Sequence, residues 1–181
     1  SYTLAKVTDS KDDATTEKAA KAPLLATAKS GDKKVKLSWK KVTGATGYEV
    51  YTSVCDGGKN FKKTETKKLT CTIKNLSNKK SYKFYVRAYK DVDGKKVYLN
   101  KSPQIHVAMK DYKKTNAKTI KNVNASYKLT VGKKAGIRAM TVKENKNKKL
   151  LAHAAEFRYY SSDTSVANNG AYKTIKVTVG E

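Results

Sequence analysis

Few residues of this chain are of types that do chemistry, and their spacing argues against most of it. There are two histidines, His106 and His153, and two cysteines, Cys55 and Cys71. His153 and Glu156 form H-x-x-E, but no second histidine stands at metal-binding spacing and the zinc-protease pattern H-E-x-x-H is absent. His153, near Lys148 and Lys149, reads as a surface histidine. Cys55 or Cys71 with His106 would supply a nucleophile and a base, yet no third group is indicated to orient the base, and strand cysteines are usually core residues. Asp91-x-Asp93-Gly94 opens like a calcium loop, but Lys95, Lys96 and Val97 add no oxygen ligands, so Asp93-Gly94 reads as a hairpin turn. No phosphate-cradling glycine loop is present. The expectation is a chain without catalytic residues, cofactor or metal.

The better candidate is a surface. If Tyr82, Phe84, Val86 and Ala88 face inward, then Lys83, Tyr85, Arg87 and Tyr89 face outward, with Glu49 and Tyr51 from a neighbouring strand and Tyr98 from the last one. Tyr51, Tyr85, Arg87, Tyr89 and Tyr98 are therefore the candidate ligand-binding residues. Tyrosines flanked by cations can stack on sugar rings or bases, or hold an acidic partner. The competing reading is that such cross-strand pairs only stabilise an exposed sheet, by about 0.2–1 kcal/mol each.

These residues need strands to position them. Val35, Leu37 and Trp39 alternate with Lys36, Ser38 and Lys40, the period-2 pattern of a strand with one wet face. Leu76 is followed by Tyr82 and then by Phe84, Val86 and Ala88 in strict alternation. A tyrosine opening a strand after a corner, its hydroxyl bonding back to upstream backbone, is the tyrosine corner of Greek-key sandwiches. Trp39, Leu76 and Tyr82 are thus structural. Strands are predicted near 24–29, 33–41, 47–54, 59–66, 68–75, 81–90 and 96–108, with turns at Gly31-Asp32, Gly44, Gly47, Asp56-Gly57-Gly58, Asn75 and Asp93-Gly94. Cys71 alternates with Leu69 and Ile73 and is expected to be a small buried hydrophobe, and two cysteines are too few to read as a disulfide framework. Tyr2, Leu4 and Val7 allow a short strand over 1–8, and 9–22 reads as a polar linker.

The chain of 181 residues carries 40 basic and 15 acidic side chains, a formal charge of +25. Residues 1–22 are neutral, whereas 23–109 hold twenty basic against six acidic residues and 110–181 hold sixteen against five. Only Arg87, Arg138 and Arg158 are arginines. Readers of base edges rely on the guanidinium fork, so a lysine coat argues against nucleic acid and for a diffuse field suited to a polyanion or to solubility. No long apolar run or signal peptide stands out, which predicts no membrane insertion and a soluble chain or a mature exported fragment.

Two strings, KVKLSWKKVTGATGYEVY from Lys34 to Tyr51 and TIKNLSNKKSYKFYVRAY from Thr72 to Tyr89, resemble a bacterial fibronectin type III domain over about 23–109. Trp39 matches the family's core tryptophan, and Leu76 with Tyr82 matches its corner. The integrin-binding tripeptide of vertebrate members is absent, so that activity does not carry over. A second resemblance, over about 112–181, is to bacterial immunoglobulin-like (Big-type) domains. It rests on LTVGKKAGIRAMTV, on the motif from Ser161 to Ala167, and on Ile175, Val177 and Val179 as a closing strand. Relative to that family the chain passes from Ala167 straight to Asn168-Asn169-Gly170. About two strands, on the order of twenty residues, are missing there. Either the domain is shortened or a stretch is absent from the sequence; the second is expected, because a sandwich lacking two strands exposes an edge.

The expected fold class is all-β, two tandem Greek-key β-sandwiches, with 1–22 as strand and linker, 23–109 as the first module and 110–181 as the second. The resemblances imply non-catalytic adhesion or spacer modules at a bacterial cell surface or outside the cell. The expected partner is an acidic polysaccharide, wall polymer or host glycan or protein, and the chain is expected to be a monomeric fragment of a larger protein. The alternative is a set of accessory modules of an extracellular enzyme that cleaves carbohydrate or peptide.

Overall fold

The computed structural model describes residues 23–123, 130, 134–136, 139–152, 167–170 and 174–177. The expected strand at 1–8, His153 with Glu156, and the Ser161–Val166 motif lie outside the described residues. Two compact units are present, one formed by Pro23–Ala117 with Lys143–Ala155 and the other by Ser1–Ala22, Lys118–Val142 and Glu156–Glu181. The described elements are strands.

Up to Thr115 of the first unit the strands are β1 (Ala26–Gly31), β2 (Lys34–Trp39), β3 (Gly47–Val54), β4 (Lys62–Thr66), β5 (Thr70–Ile73), β6 (Ser81–Val92), β7 (Lys95–Lys101), β8 (Ile105–Ala108) and β9 (Lys114–Thr115). Strands β1-β2-β5 form one antiparallel sheet. Strands β4-β3-β6-β7 form the other, with β8 pairing the first half of β6. The alternation does what its period requires. Val35, Leu37 and Trp39 of β2 are buried, as are Tyr48 and Val50 of β3 and Tyr82, Phe84, Val86 and Ala88 of β6; Leu24, Leu76, Val107 and Met109 complete the core. Each fully buried Val, Leu or Phe contributes about 1.5–3 kcal/mol relative to exposure.

The corner residues take the expected places. Leu76 is buried and its N–H donates to the Lys33 carbonyl at 3.0 Å. The Tyr82 hydroxyl accepts the Ser77 N–H at 2.9 Å, closing the corner five residues upstream. Trp39 packs against Tyr48 with ring centroids 5.3 Å apart. Asp93 (φ 51°) and Gly94 (φ 75°) both lie in the left-handed region, the geometry of a two-residue hairpin turn, and join Val92 to its partner Lys95.

The predicted strand 96–108 is two strands, because Pro103 has no N–H to give to the ladder. The gap is filled locally: the Ser102 hydroxyl accepts the Val86 N–H at 2.9 Å, and the Ser102 N–H donates to the Val86 carbonyl at 2.8 Å. β6 thus keeps its pairing while its partner changes from β7 to β8. Gly47, read as turn punctuation, is the first residue of β3 and serves a packing purpose described below.

Past β8, Asn116 acts as a surrogate strand. Its side-chain oxygen accepts the Ala108 N–H at 2.6 Å and its amide donates to the Ala108 carbonyl at 2.9 Å. β10 (Ala117–Lys121), β11 (Lys134–Gly136), β12 (Met140–Lys143), β13 (Lys149–Leu150), β14 (Ala167–Gly170) and β15 (Thr174–Val177) follow. β13 pairs β9 in parallel, and Leu151 is buried with Ala108 and Tyr112. Elsewhere β10 pairs β12, and β11-β15-β14 form an antiparallel sheet. β14 and β15 are consecutive in the chain and adjacent in the sheet.

Candidate functional site

The register of β3, β4, β6 and β7 sets the outer face row by row. Tyr51 stands between Lys63 of β4 and Tyr85 of β6; Glu49 stands between Glu65 and Arg87, with Lys101 beyond; Gly47 faces Tyr89, which faces Tyr98. The five candidate residues therefore share one sheet face. The register shifts between Arg87 and Tyr89, an irregularity that re-aims the side chains of β7.

What the rows do is pair with one another. Tyr51 and Tyr85 stack with centroids 4.4 Å apart and planes 12° from parallel, and Phe61 meets Tyr85 edge-on at 5.2 Å. Lys101 lies over the Tyr85 ring at 4.3 Å, Arg87 over Tyr98 at 3.7 Å, Lys96 over Tyr89 at 4.5 Å and Lys83 over Phe61 at 5.4 Å. Cation–ring contacts of this kind are worth about 0.5–1 kcal/mol at exposed sites. Tyr98 is 41 % exposed, whereas Tyr89 is 8 % exposed, so only the first offers a ring to an incoming ligand. Tyr89 sits on the expected face but is covered. Its ring lies across Gly47, where any Cβ would collide with the ring atoms, so the glycine is what admits it.

Glu49 holds the centre of the face. It stands on the outward face, as the alternation predicts, yet it is fully buried. Its carboxylate accepts the Tyr51 hydroxyl at 2.6 Å, Lys96 Nζ at 3.0 Å and Lys63 Nζ at 3.4 Å. Both lysines also pair with Glu65. Burial pushes the Glu49 carboxyl up, but the bonds from Tyr51, Lys96 and Lys63 together outweigh it and hold it below the ordinary carboxylate value. Lys96 and Lys63 are held above the ordinary lysine range by Glu65 and Glu49. Burial and the bond to Glu49 push the Tyr51 phenol up. The sequence signal for this cluster is present in hindsight: Glu49 and Tyr51 are two apart on one strand, and a lysine-rich strand follows across a hairpin.

At the other end of the same face the structure brings together a pair that spacing alone did not select. Cys55, just past β3, has its Sγ 3.1 Å from Nδ1 of His106 on β8. Its backbone N–H donates to the Ser81 carbonyl at 2.9 Å, and Tyr112 donates to Asp56 at 2.8 Å, fixing the loop that carries the thiol. Burial pushes the Cys55 thiol up. Cys71 is on β5 in the other sheet, partly buried against the core, and both cysteines are free thiols.

A family model for the fibronectin type III domain matches residues 21–98. No curated protein matches the chain. Among solved structures, one described as "Myokine structure" is similar at 16% identity and a TM-score of 0.41, covering 49% of this chain and 96% of that one. A twitchin kinase region from C. elegans is similar at 20% identity and a TM-score of 0.39, covering 50% of this chain. The chain spans 17% of that twitchin region. The two-sheet sandwich, the buried Trp39 and the Tyr82 corner agree with that match: residues 21–98 are similar to the fibronectin type III family.

Proposed function

We propose that the chain supplies non-catalytic spacer modules to a secreted or surface-attached bacterial protein, and that its lysine coat holds it loosely on anionic polymer such as wall polymer or acidic glycan. The observation that carries this reading is the self-pairing of the outer sheet face. Its tyrosines are stacked or covered by the cations that flank them, and its one buried carboxylate is neutralised internally. A face so satisfied is a strut more than a pocket, and what remains for a partner is diffuse positive charge. The likeness of residues 112–181 to bacterial immunoglobulin-like domains supports the cell-surface placement, and fibronectin type III domains in general serve adhesion and spacing.

Retention of the purified chain on wall polymer, mucin glycan, heparin and DNA across a salt series tests this. Diffuse binding predicts that all four release together at moderate salt, and that Tyr98→Ala, at the most exposed ring, leaves each midpoint unchanged. Retention of one ligand at physiological salt, abolished by Tyr98→Ala, would instead establish an aromatic binding site and overturn the spacer reading.

A further inference from the structure

We infer that Cys55 is a site of covalent thiol modification, its proton accepted by His106, through which the module forms a mixed disulfide with a low-molecular-weight disulfide. Three features place it there. The sulfur lies 3.1 Å from His106 Nδ1, within reach of a direct proton transfer. Both side chains are only partly buried, on the outer face at the end away from the Tyr98 ring, so a small reagent can approach. Their carriers are fixed: His106 is paired through β8 to β6 opposite Lys83, and the Cys55 loop is tied at the Ser81 carbonyl and, through Asp56, at Tyr112. Cys71 is an internal control. It sits opposite Leu37 in the β2–β5 pairing, packed against the core, and burial alone raises its thiol.

The step balances without any group beyond the disulfide. Cys55 Sγ attacks one sulfur of R–S–S–R, its proton passing to His106 Nδ1; the new Cys55–S–S–R bond forms as the old S–S bond breaks. R–S⁻ leaves and recovers the proton from the imidazolium as R–SH. Cys55 is oxidised and one reagent sulfur is reduced. The charged groups around the thiol oppose each other: Asp56 beside it disfavours the thiolate, and Lys83 on β6 favours it. Burial pushes the thiol up, and the imidazole 3.1 Å away is the group placed to take its proton as the sulfur attacks.

The test uses a neutral reagent, 2,2′-dithiodipyridine, with the whole chain and peptide mapping by mass spectrometry to locate each adduct. General-base assistance is worth 10²–10⁴-fold in built active sites, so a two-residue pair is expected to label at Cys55 about tenfold faster than at Cys71. His106→Gln should remove most of that advantage, while Cys71→Ser leaves the Cys55 rate unchanged. A second readout needs no variant: the Cys55 rate should begin to rise at lower pH than the Cys71 rate does. Equal labelling of the two cysteines overturns the proposal. So does a Cys55 rate that is insensitive to His106→Gln, or one whose pH profile matches that of Cys71.

Discussion

Glu49 shows how one buried charge can hold a surface together. Nothing about its exposure is usual for a glutamate, but every neighbour within reach donates to it: Tyr51, Lys63 and Lys96. Hydrogen bonds to charged groups contribute about 1.5–3 kcal/mol each in net terms. Lys63 and Lys96 can be rehydrated when the charge is lost, so the lower end applies, and Glu49→Gln is expected to cost about 1–2 kcal/mol. Because its folded carboxyl lies below its unfolded value, this contribution is fully present above the ordinary value of 4.5 and is lost as pH falls through the folded value. At the alkaline end the raised Lys96, Lys63 and Tyr51 contribute below about pH 10 and lose their contribution as pH climbs through their folded values. Thermal unfolding across pH checks both limbs: wild type should lose stability below pH 4.5, and Glu49→Gln should lose markedly less over that interval.

Among the elements, β6 is the spine, pairing β3 on one side and β7 then β8 on the other. The change of partner is possible only because Ser102 supplies a hydroxyl where the ladder is interrupted by Pro103. Ser102→Ala would strand the buried Val86 N–H, at a cost of about 1–3 kcal/mol. In a domain of this size about 4–8 °C of melting temperature is lost per kcal/mol, so calorimetry should show a clear drop. Native-state hydrogen exchange should place the loosening at Val86. Ser102→Thr, which keeps the hydroxyl, should fall well short of that loss. How much of this was legible varies by element. The alternation in β2 and β6 fixed which residues enter the core, and the Leu76–Tyr82 spacing fixed the corner. The break in the last strand was marked by Ser102-Pro103, but read as alternation it passes unnoticed, since Ile105 and Val107 continue the period.

For the whole molecule the dominant quantity is charge, 40 basic residues against 15 acidic. Salt acts on it in two directions. It weakens the Lys–Glu pairs around Glu49, and it relieves the repulsion among the remaining lysines. Among the described residues the first effect is confined to four close ion pairs, and the second involves the whole surface. The second should win. Raising ionic strength from about 10 mM to about 0.1 M shortens the Debye length from about 30 to about 10 Å. The melting temperature is expected to rise over that range, and a fall would mean that the local pairs outweigh the global field.

Sequence by itself determined the all-β class, the core residues of β2 and β6, the tyrosine corner and the face on which Tyr51, Tyr85, Arg87, Tyr89 and Tyr98 stand. Those follow from period and from a short-range spacing, both written along one strand at a time. Tertiary structure decided what that face is. Whether a tyrosine on a strand is bare or covered depends on the side chains of two other strands and on their register, as Gly47 under Tyr89 and Lys96 above it show. The meeting of Cys55 with His106 has the same origin. They are 51 residues apart in the chain, and β6 lies between the strands that bring them to 3.1 Å.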